Sequence, residues 1–290
     1  LESRVTPDNL NVAIVVSTFN GERYLAAQLD SLLRQSHSNI EILIRDDGSS
    51  DRTREMLSEY ARRHDSVNVI FEDNIGVVRS FFRLLALVPA AADYVAFCDQ
   101  DDVWCEDKIE RALDQLREVE PHCPAMYCGA LEIVDENLQH IRVESRSKRR
   151  PSLENALVQN IATGCTTVVN RAAVRLTLEN KVEASEILMH DWWLYQVVSA
   201  FGSVIYDDTP RIKYRQHGAN VIGSSSGFKL WAERLKRQLG SNRGAIRRQA
   251  KELARAYGAD MSERNAQMVS DFLRGTGSVE IRTRVAYAIR

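Results

Sequence analysis

The sequence predicts an α/β protein built on a doubly wound, mostly parallel sheet, with a smaller β/α portion after it and a helical C-terminal extension. Three observations predict it. Short apolar runs rich in β-branched residues alternate with stretches whose apolar residues recur at helical spacing, the pattern of strand–helix–strand units. The runs are continuously apolar, as strands covered on both faces require. Each ends in a short loop of Gly, Asp, Asn or Ser, and in such sheets these loops gather on one rim, where ligands bind.

Val12–Val16 is the first run, closed by Ser17-Thr18-Phe19-Asn20-Gly21. A helix follows with Leu25, Leu29, Leu32 and Leu33 on one face. Ile40–Arg45 is the second strand, and its loop Asp46-Asp47-Gly48-Ser49-Ser50-Asp51 also offers helix N-caps. The next helix carries Met56, Leu57 and Tyr60. Val67–Phe71 is the third strand, followed by Asn74-Ile75-Gly76 and a helix from Val77 to Val88. Tyr94–Cys98 is the fourth, and Asp99, Asp101 and Asp102 crowd its C-terminal end. Carboxylates this close repel, which is costly unless a cation lies among them. Their hard oxygens suit Mg²⁺ or Mn²⁺ and a phosphate-bearing substrate. The plainer reading is a polar loop whose aspartates cap a helix.

Glu106–Val119 reads as a helix with Ile109, Ala112, Leu113 and Leu116 inward. After Pro121 and Pro124 come shorter strands, Ala125–Cys128 and Leu131–Val134. Ile141–Pro151 carries Arg142, Arg146, Lys148, Arg149 and Arg150 and reads as an exposed basic loop. Ser152–Gln159 is a capped helix. Thr163–Val169 reads as a strand in which Gly164 lets the backbone approach a ligand closely. Met189-His190-Asp191-Trp192-Trp193-Leu194 opens a helix to Phe201, and Val204–Tyr206 and Ile212–Arg215 are further strands. From Lys229 to Arg255 basic residues dominate, with Phe228, Leu230, Trp231, Leu235 and Leu239 among them. This stretch is either a basic amphipathic helix at a membrane surface or a helix packed on the main domain with a solvated basic face.

At 290 residues the chain holds one large domain, with or without an appendage. A net charge of −2 gives no general argument for nucleic acid. Five cysteines without CxxC spacing favour reduced thiols in a cytoplasm-like compartment over disulfides or a zinc site. The first residues lack the apolar core of a signal peptide, and no uncharged run approaches the ~20 residues that span a bilayer. Membrane contact is therefore expected to be peripheral. There is no internal repeat and no low-complexity segment.

The order of these motifs resembles the family 2 glycosyltransferases of the GT-A fold, most closely their bacterial rhamnosyltransferase-like branch. The resemblance covers Asn11 to Gly223. Its carriers are Val15–Gly21, Ile44–Asp51, Cys98–Trp104, His190-Asp191-Trp192-Trp193 and Tyr214-Arg215-Gln216-His217-Gly218-Ala219-Asn220. It implies a Rossmann-like GT-A domain at 1–223, divided into a nucleotide-sugar-binding half (1–122) and an acceptor-binding half (123–223). A helical basic extension, 224–290, follows. Implied roles come position by position. Thr18, Phe19, Asn20 and Asn74, with Asp47 or its neighbour Asp46, would hold the donor nucleotide, a carboxylate accepting from the base imide. Asp99 would sit near the ribose or the metal. Asp101 would ligate a divalent ion, Mn²⁺ or Mg²⁺, that bridges the donor phosphates, with His217 as a further contact. Asp102 would brace the loop or support the metal through water. Trp104, Gly164, His190 and Trp192 fall on the acceptor or supporting side, where Trp192 and Trp193 suit sugar stacking with one of them in the core. Asp191 is the implied general base, since an inverting transfer needs one carboxylate to take the acceptor's proton. Its plainer reading is an N-cap for the helix that follows.

The implied reaction moves a single sugar, foremost L-rhamnose from dTDP-L-rhamnose, to a hydroxyl of a glycan or lipid-linked acceptor in bacterial surface polysaccharide such as O-antigen. UDP-linked sugars are the alternative donors. The expected place is cytoplasmic, at the inner face of the membrane, with contact through 228–255. Processive synthases carry a Gln-x-x-Arg-Trp motif and membrane helices, and neither is found, which argues for one sugar at a time. Asp99-Gln100-Asp101-Asp102-Val103 also fits the Asp-x-Asp-x-Val pattern of haloacid dehalogenase-like phosphatases, but that motif follows an early strand, and here three strand–helix units precede it. A nucleotide-sugar pyrophosphorylase wants a Gly-rich, basic signature where Ser17–Gly21 has a single Gly and no Lys. A dinucleotide oxidoreductase wants G-x-G-x-x-G after Val16, which is missing. A non-catalytic sugar-nucleotide-binding module is opposed by the complete set Asp47, Asp99, Asp101 and Asp191.

Overall fold

The computed structural model describes residues 10–145, 150–217 and 244–275. Strands β1 (Val12–Thr18), β2 (Ile40–Asp47), β3 (Val67–Glu72) and β4 (Tyr94–Cys98) are parallel, in the order β4-β1-β2-β3. Successive side chains of a strand point to opposite faces. Val12, Ile14 and Val16 therefore meet Leu25, Leu29 and Leu32 of α1 (Leu25–Leu33) and Leu57 of α2 (Thr53–Arg63). Ala13 and Val15 meet Phe81, Leu84 and Leu85 of α3 (Val77–Leu87) on the other side. This is the doubly wound arrangement expected, and it brings the ends of β1, β2, β3 and β4 to one rim.

The chain then adds β5 (Val103–Trp104), α4 (Lys108–Leu116), β6 (Ala125–Gly129), β7 (Leu131–Val134) and β8 (His140–Glu144). After α5 (Leu153–Ala156) come β9 (Val168–Asn170), α6 (Arg171–Glu179), α7 (His190–Phe201), β10 (Ser203–Asp207) and β11 (Ile212–Arg215). The main sheet has seven strands, β10-β6-β9-β4-β1-β2-β3. β9 runs antiparallel to both β4 and β6 and splices the two halves together. A second sheet, β5-β11-β7-β8, stands beside it and carries β11. Gly202 lets α7 turn into β10, since a Cβ there would lie 1.8 Å from the Pro124 carbonyl oxygen.

Three expectations are corrected. Thr163–Val169 is not one strand: Gly164–Thr166 forms a 3-10 turn, and only Val168–Asn170 pairs. The Thr166 hydroxyl donates to the Thr163 carbonyl at 2.7 Å, so local bonding replaces the ladder. The segment from Ile141 is not all loop, because its first part belongs to β8, paired with β7; residues 146–149 lie outside the described residues. The third is α6, an unanticipated helix capped by Asn170, whose side chain accepts from Ala173 N.

The C-terminal stretch is helical where described, as α8 (244–257) and α9 (Glu263–Gly275). Ala250, Leu253 and Tyr257 of α8 are buried against Leu153, Leu157, Trp193 and Val197. Arg247, Arg248, Lys251 and Arg255 face outward. The apolar side of residues 244–255 is thus covered by protein and does not face a membrane, while 228–243 fall outside the described residues.

Candidate active site

The rim loops are laced to one another. Phe19 N donates to Gln100 Oε1 at 2.8 Å and Gln100 Nε2 returns a bond to Phe19 O at 3.0 Å, joining the loops after β1 and β4. Asn20 N donates to Ser49 Oγ, and Ser50 N to Asn20 Oδ1, joining those after β1 and β2. Asn20 takes a φ of 49°, a left-handed conformation that asparagine tolerates better than most residues.

Of the two neighbouring carboxylates at the end of β2, Asp46 accepts from Thr18 Oγ1, Ser49 N and Ser49 Oγ and is buried. Asp47 accepts from Ile75 N at 2.8 Å and Gly76 N at 2.9 Å and pairs with Arg45. Arg45 is wholly buried and also bonds Glu72, the Asp73 carbonyl and Ser80 Oγ. Sequence reading missed this arginine, which anchors the loop after β3 from below. Thr18 is buried beside Asp46, whereas Phe19 and Asn74 stand exposed on the rim.

The acidic loop after β4 is drawn to the second sheet. Asp102 Oδ1 accepts from Arg215 N at 2.9 Å, and Asp101 Oδ2 lies 2.8 Å from His217 Nε2. Ligand atoms of Asp99, Asp102 and Cys165 fall within 4.8 Å of one another. Burial, and then the charges of Asp101 and Asp191, push the Asp99 carboxyl up to about 7. Burial and the same crowding push Asp102 well above the usual carboxylate range. Asp102 Oδ2 is enclosed, with the weak Cys165 thiol close by. Crowded hard oxygens that resist ionising together are what a divalent cation relieves, so the carboxylates of this loop, Asp99 and Asp101 beside Asp102, fit one. Through Oδ1, Asp102 ties the loop to β11.

Beneath the loop, Lys108 is buried with its Nζ 3.3 Å from the centre of the Trp104 ring. Burial lowers its pKa to about 8. Trp104 is itself buried, so it supports the loop from within the core. Neither Lys108 nor Cys165 was marked by the sequence, where one reads as a first-turn lysine and the other as a lone thiol.

Asp191, in the first turn of α7, accepts from Gly164 N at 2.8 Å through Oδ2 and is 6% exposed. Its charge is one of those that raise Asp99, so the two carboxylates share one site. Gly164 packs closely here: a Cβ would lie 3.1 Å from His190 Nε2 and 3.5 Å from Asp191 Oδ2. His190 stacks on Phe81, centroids 3.9 Å apart, and burial pushes its pKa down, which makes it a neutral packing group. The expectation of a free sugar-stacking indole is corrected. Trp192 is 9% exposed with Nε1 donating to the Ala156 carbonyl, and Trp193 is fully buried.

The raised Asp99 pKa sets an expected pH dependence. An unfolded aspartate titrates near 4, so this group's stabilisation is full below ~4 and is lost as pH rises through 7. A shift of that size is worth up to about 4 kcal/mol. Without divalent cation, the melting temperature should fall between pH 5 and pH 8, and saturating Mg²⁺ should restore more of it at pH 8 than at pH 5. A cation-free melting temperature that stays flat or rises over that range would contradict the buried-cluster electrostatics.

Residues 13–176 match the family described as glycosyl transferase family 2, more than half of the chain. The chain belongs to glycosyl transferase family 2. Among curated members, dTDP-rhamnosyl transferase RfbG of Shigella flexneri is 32% identical over 235 residues, 76% of this chain and 78% of that protein. Among solved structures, S. aureus TarS 1-349 in complex with UDP-GlcNAc gives a TM-score of 0.63 at 17% identity, covering 91% of this chain and 72% of that one. Mannosyltransferase PcManGT from Pyrobaculum calidifontis, in complex with GDP-Man and Mn²⁺, gives 0.53 at 17% identity, covering 99% and 88%. The fold of this family 2 glycosyltransferase is GT-A, as its motif order led us to expect. The matched span ends before Asp191 and His217, so their place in the site rests on geometry. No helix among the described residues is long and apolar enough to cross a membrane.

Proposed function

We propose that this glycosyltransferase moves one L-rhamnosyl unit, with inversion, from dTDP-L-rhamnose to a hydroxyl of a glycan or lipid-linked acceptor in surface-polysaccharide synthesis. One observation carries the mechanism: Asp191 is held by Gly164 N beside Asp99, so a base faces the acidic loop. The rhamnosyl donor is supported by the named activity of the RfbG relative. UDP- and GDP-linked sugars in the solved neighbours make those donors the competing reading.

Within this reading, residues 1–122 hold the donor and 123–223 the acceptor. Phe19, Asn20 and Asn74 offer their exposed faces to the nucleotide, while Asp46 and Asp47 hold the loops that carry them. Asp101, Asp99 and His217 would hold Mn²⁺ or Mg²⁺. When bound, such an ion neutralises charge developing on the departing nucleoside diphosphate. Asp191 takes the proton from the acceptor hydroxyl as its oxygen attacks the anomeric carbon. Gly164 N and Trp192 N each donate to one oxygen of that carboxylate, which orients it and leaves its remaining lone pairs to the substrate.

Thermal shift with dTDP-L-rhamnose, dTDP, UDP-glucose, UDP-GlcNAc and GDP-mannose, each with and without Mn²⁺, tests donor and metal together. At about 100-fold saturation a specific donor should raise the melting temperature by roughly 5 °C. A larger shift with a UDP or GDP sugar would replace rhamnose as the donor, and no shift with any nucleotide would sink the enzyme reading.

We further place the enzyme on the cytoplasmic side of the membrane, consistent with five free cysteines. There the outward basic face of α8 meets anionic headgroups electrostatically. The triple change Arg247→Glu, Arg248→Glu, Lys251→Glu should abolish flotation with anionic vesicles at low salt. Undiminished flotation would assign the contact elsewhere.

A further inference from the structure

Asp101 and His217 lie 116 residues apart along the chain, yet they meet at 2.8 Å. What holds them there is built from two residues outside the proposed ligand set. Arg215 is 4% exposed and takes three bonds in different directions. Its backbone N donates to Asp102 Oδ1 at 2.9 Å, its Nε to the Asp101 carbonyl at 2.8 Å, and its Nη1 to the Glu136 carbonyl at 2.6 Å. The acidic loop is thereby pinned to β11 and to the turn after β7.

Tyr24, just before α1, closes the arrangement from the other side. Its ring lies 4.5 Å from the Arg215 guanidinium carbon and 4.7 Å from the His217 ring, centroid to centroid. Arg23 also lies over that ring, at 4.9 Å, and pairs with Glu136 at 2.8 Å. The Tyr24 hydroxyl is buried without a hydrogen-bond partner among the described residues, so the ring face, not the hydroxyl, makes the contact. Four separate segments thus converge on the pair: the start of α1, the loop after β4, the turn after β7 and the end of β11.

We propose that Arg215 and Tyr24 are positioning residues for the divalent-cation site, locking Asp101 and His217 at ligating separation from the second sheet and from α1. The inference rests on the metal-dependent reading above. It follows from the tight geometry that a cation site demands and from the dependence of first ligands on the groups that orient them. A planar guanidinium can reach two carbonyls at once, which an ammonium cannot reproduce.

The test is Mn²⁺ binding to the full chain, read from the electron paramagnetic resonance signal of the free ion, with and without dTDP, beside a melting curve. Tyr24→Phe should bind as the wild type does. Tyr24→Leu and Arg215→Lys should lose about 10- to 100-fold in Mn²⁺ affinity, the usual effect of removing an orienting group. Their melting temperatures should stay within about 5 °C of wild type. Wild-type affinity in a folded Tyr24→Leu or Arg215→Lys protein would overturn the inference. So would equal losses in Tyr24→Phe and Tyr24→Leu. Should Arg215→Lys fail to fold, the two Tyr24 variants decide. A wild-type chain that binds no Mn²⁺ in the presence of dTDP would instead remove the metal reading itself.

Discussion

Asp191→Asn should abolish sugar transfer while leaving donor binding intact. Asparagine keeps the shape and one oxygen, which can go on accepting from Gly164 N, at the loss of the bond that Trp192 N donates to the other carboxylate oxygen. What disappears is the ability to take a proton. General-base catalysis contributes roughly 10²- to 10⁴-fold, so kcat should fall by that factor with little change in donor Kd. Alanine is the poorer probe, because it leaves a buried Gly164 N–H unpaired at a cost of about 1–3 kcal/mol. A second effect should accompany the first. Asp191 is one of the charges that raise the Asp99 carboxyl, so its neutralisation should let Asp99 ionise at lower pH and move cation binding down the pH scale. Initial rates and calorimetric donor titrations at several pH values check both. Transfer within tenfold of wild type would remove Asp191 from the role of base.

Asp101→Ala should act on the other half of the reaction. The carboxylate is still 18% exposed and takes His217 as its partner, which leaves it open to a ligand as its buried neighbour Asp102 is not. Donor affinity measured with Mn²⁺ should fall by about 100-fold, whereas the weaker affinity measured without metal should hardly change. Calorimetry in the two conditions separates them. An equal loss with and without metal would mean that Asp101 binds the donor directly or merely shapes the loop. The two variants therefore divide the labour: one loses the rate at constant binding, the other the binding that depends on the ion.

The parts of this molecule that could be read in advance are those where one physical signal dominated. The runs Val12–Val16, Ile40–Arg45 and Tyr94–Cys98 are buried along all or most of their length, so their apolar character left no competing structure, and their loops had to share a rim. The meeting of Asp101 with His217, 116 residues further on, joins two of the motifs that the family resemblance places at one site. β8 hid because its apolar residues, Ile141 and Val143, are about half exposed, 48% and 52%, among charged neighbours. The period of two was present but its apolar side is not a core side. α6 is short and rich in polar residues, and its best signal, the Asn170 cap ahead of Ala173 and Val174, sat inside what read as the end of a strand. Lys108, Arg45 and Arg215 depend on tertiary contacts, with partners across other elements or, for Lys108, an aromatic ring four residues back. No local pattern reveals that such charges are buried. Trp192 shows the converse error, an aromatic beside a catalytic candidate that its own indole N–H ties into the core.

The antiparallel strand β9 has a mechanical consequence. Val169 stands between Val95 of β4 and Met126 of β6, so the strands proposed to serve donor and acceptor belong to one uninterrupted hydrogen-bonded sheet. A clamshell motion between those sides would have to tear that ladder, which the pairing of β9 with both β4 and β6 opposes. In the proposed function, exclusion of water therefore falls to the rim segments and not to a hinge between two halves of the sheet.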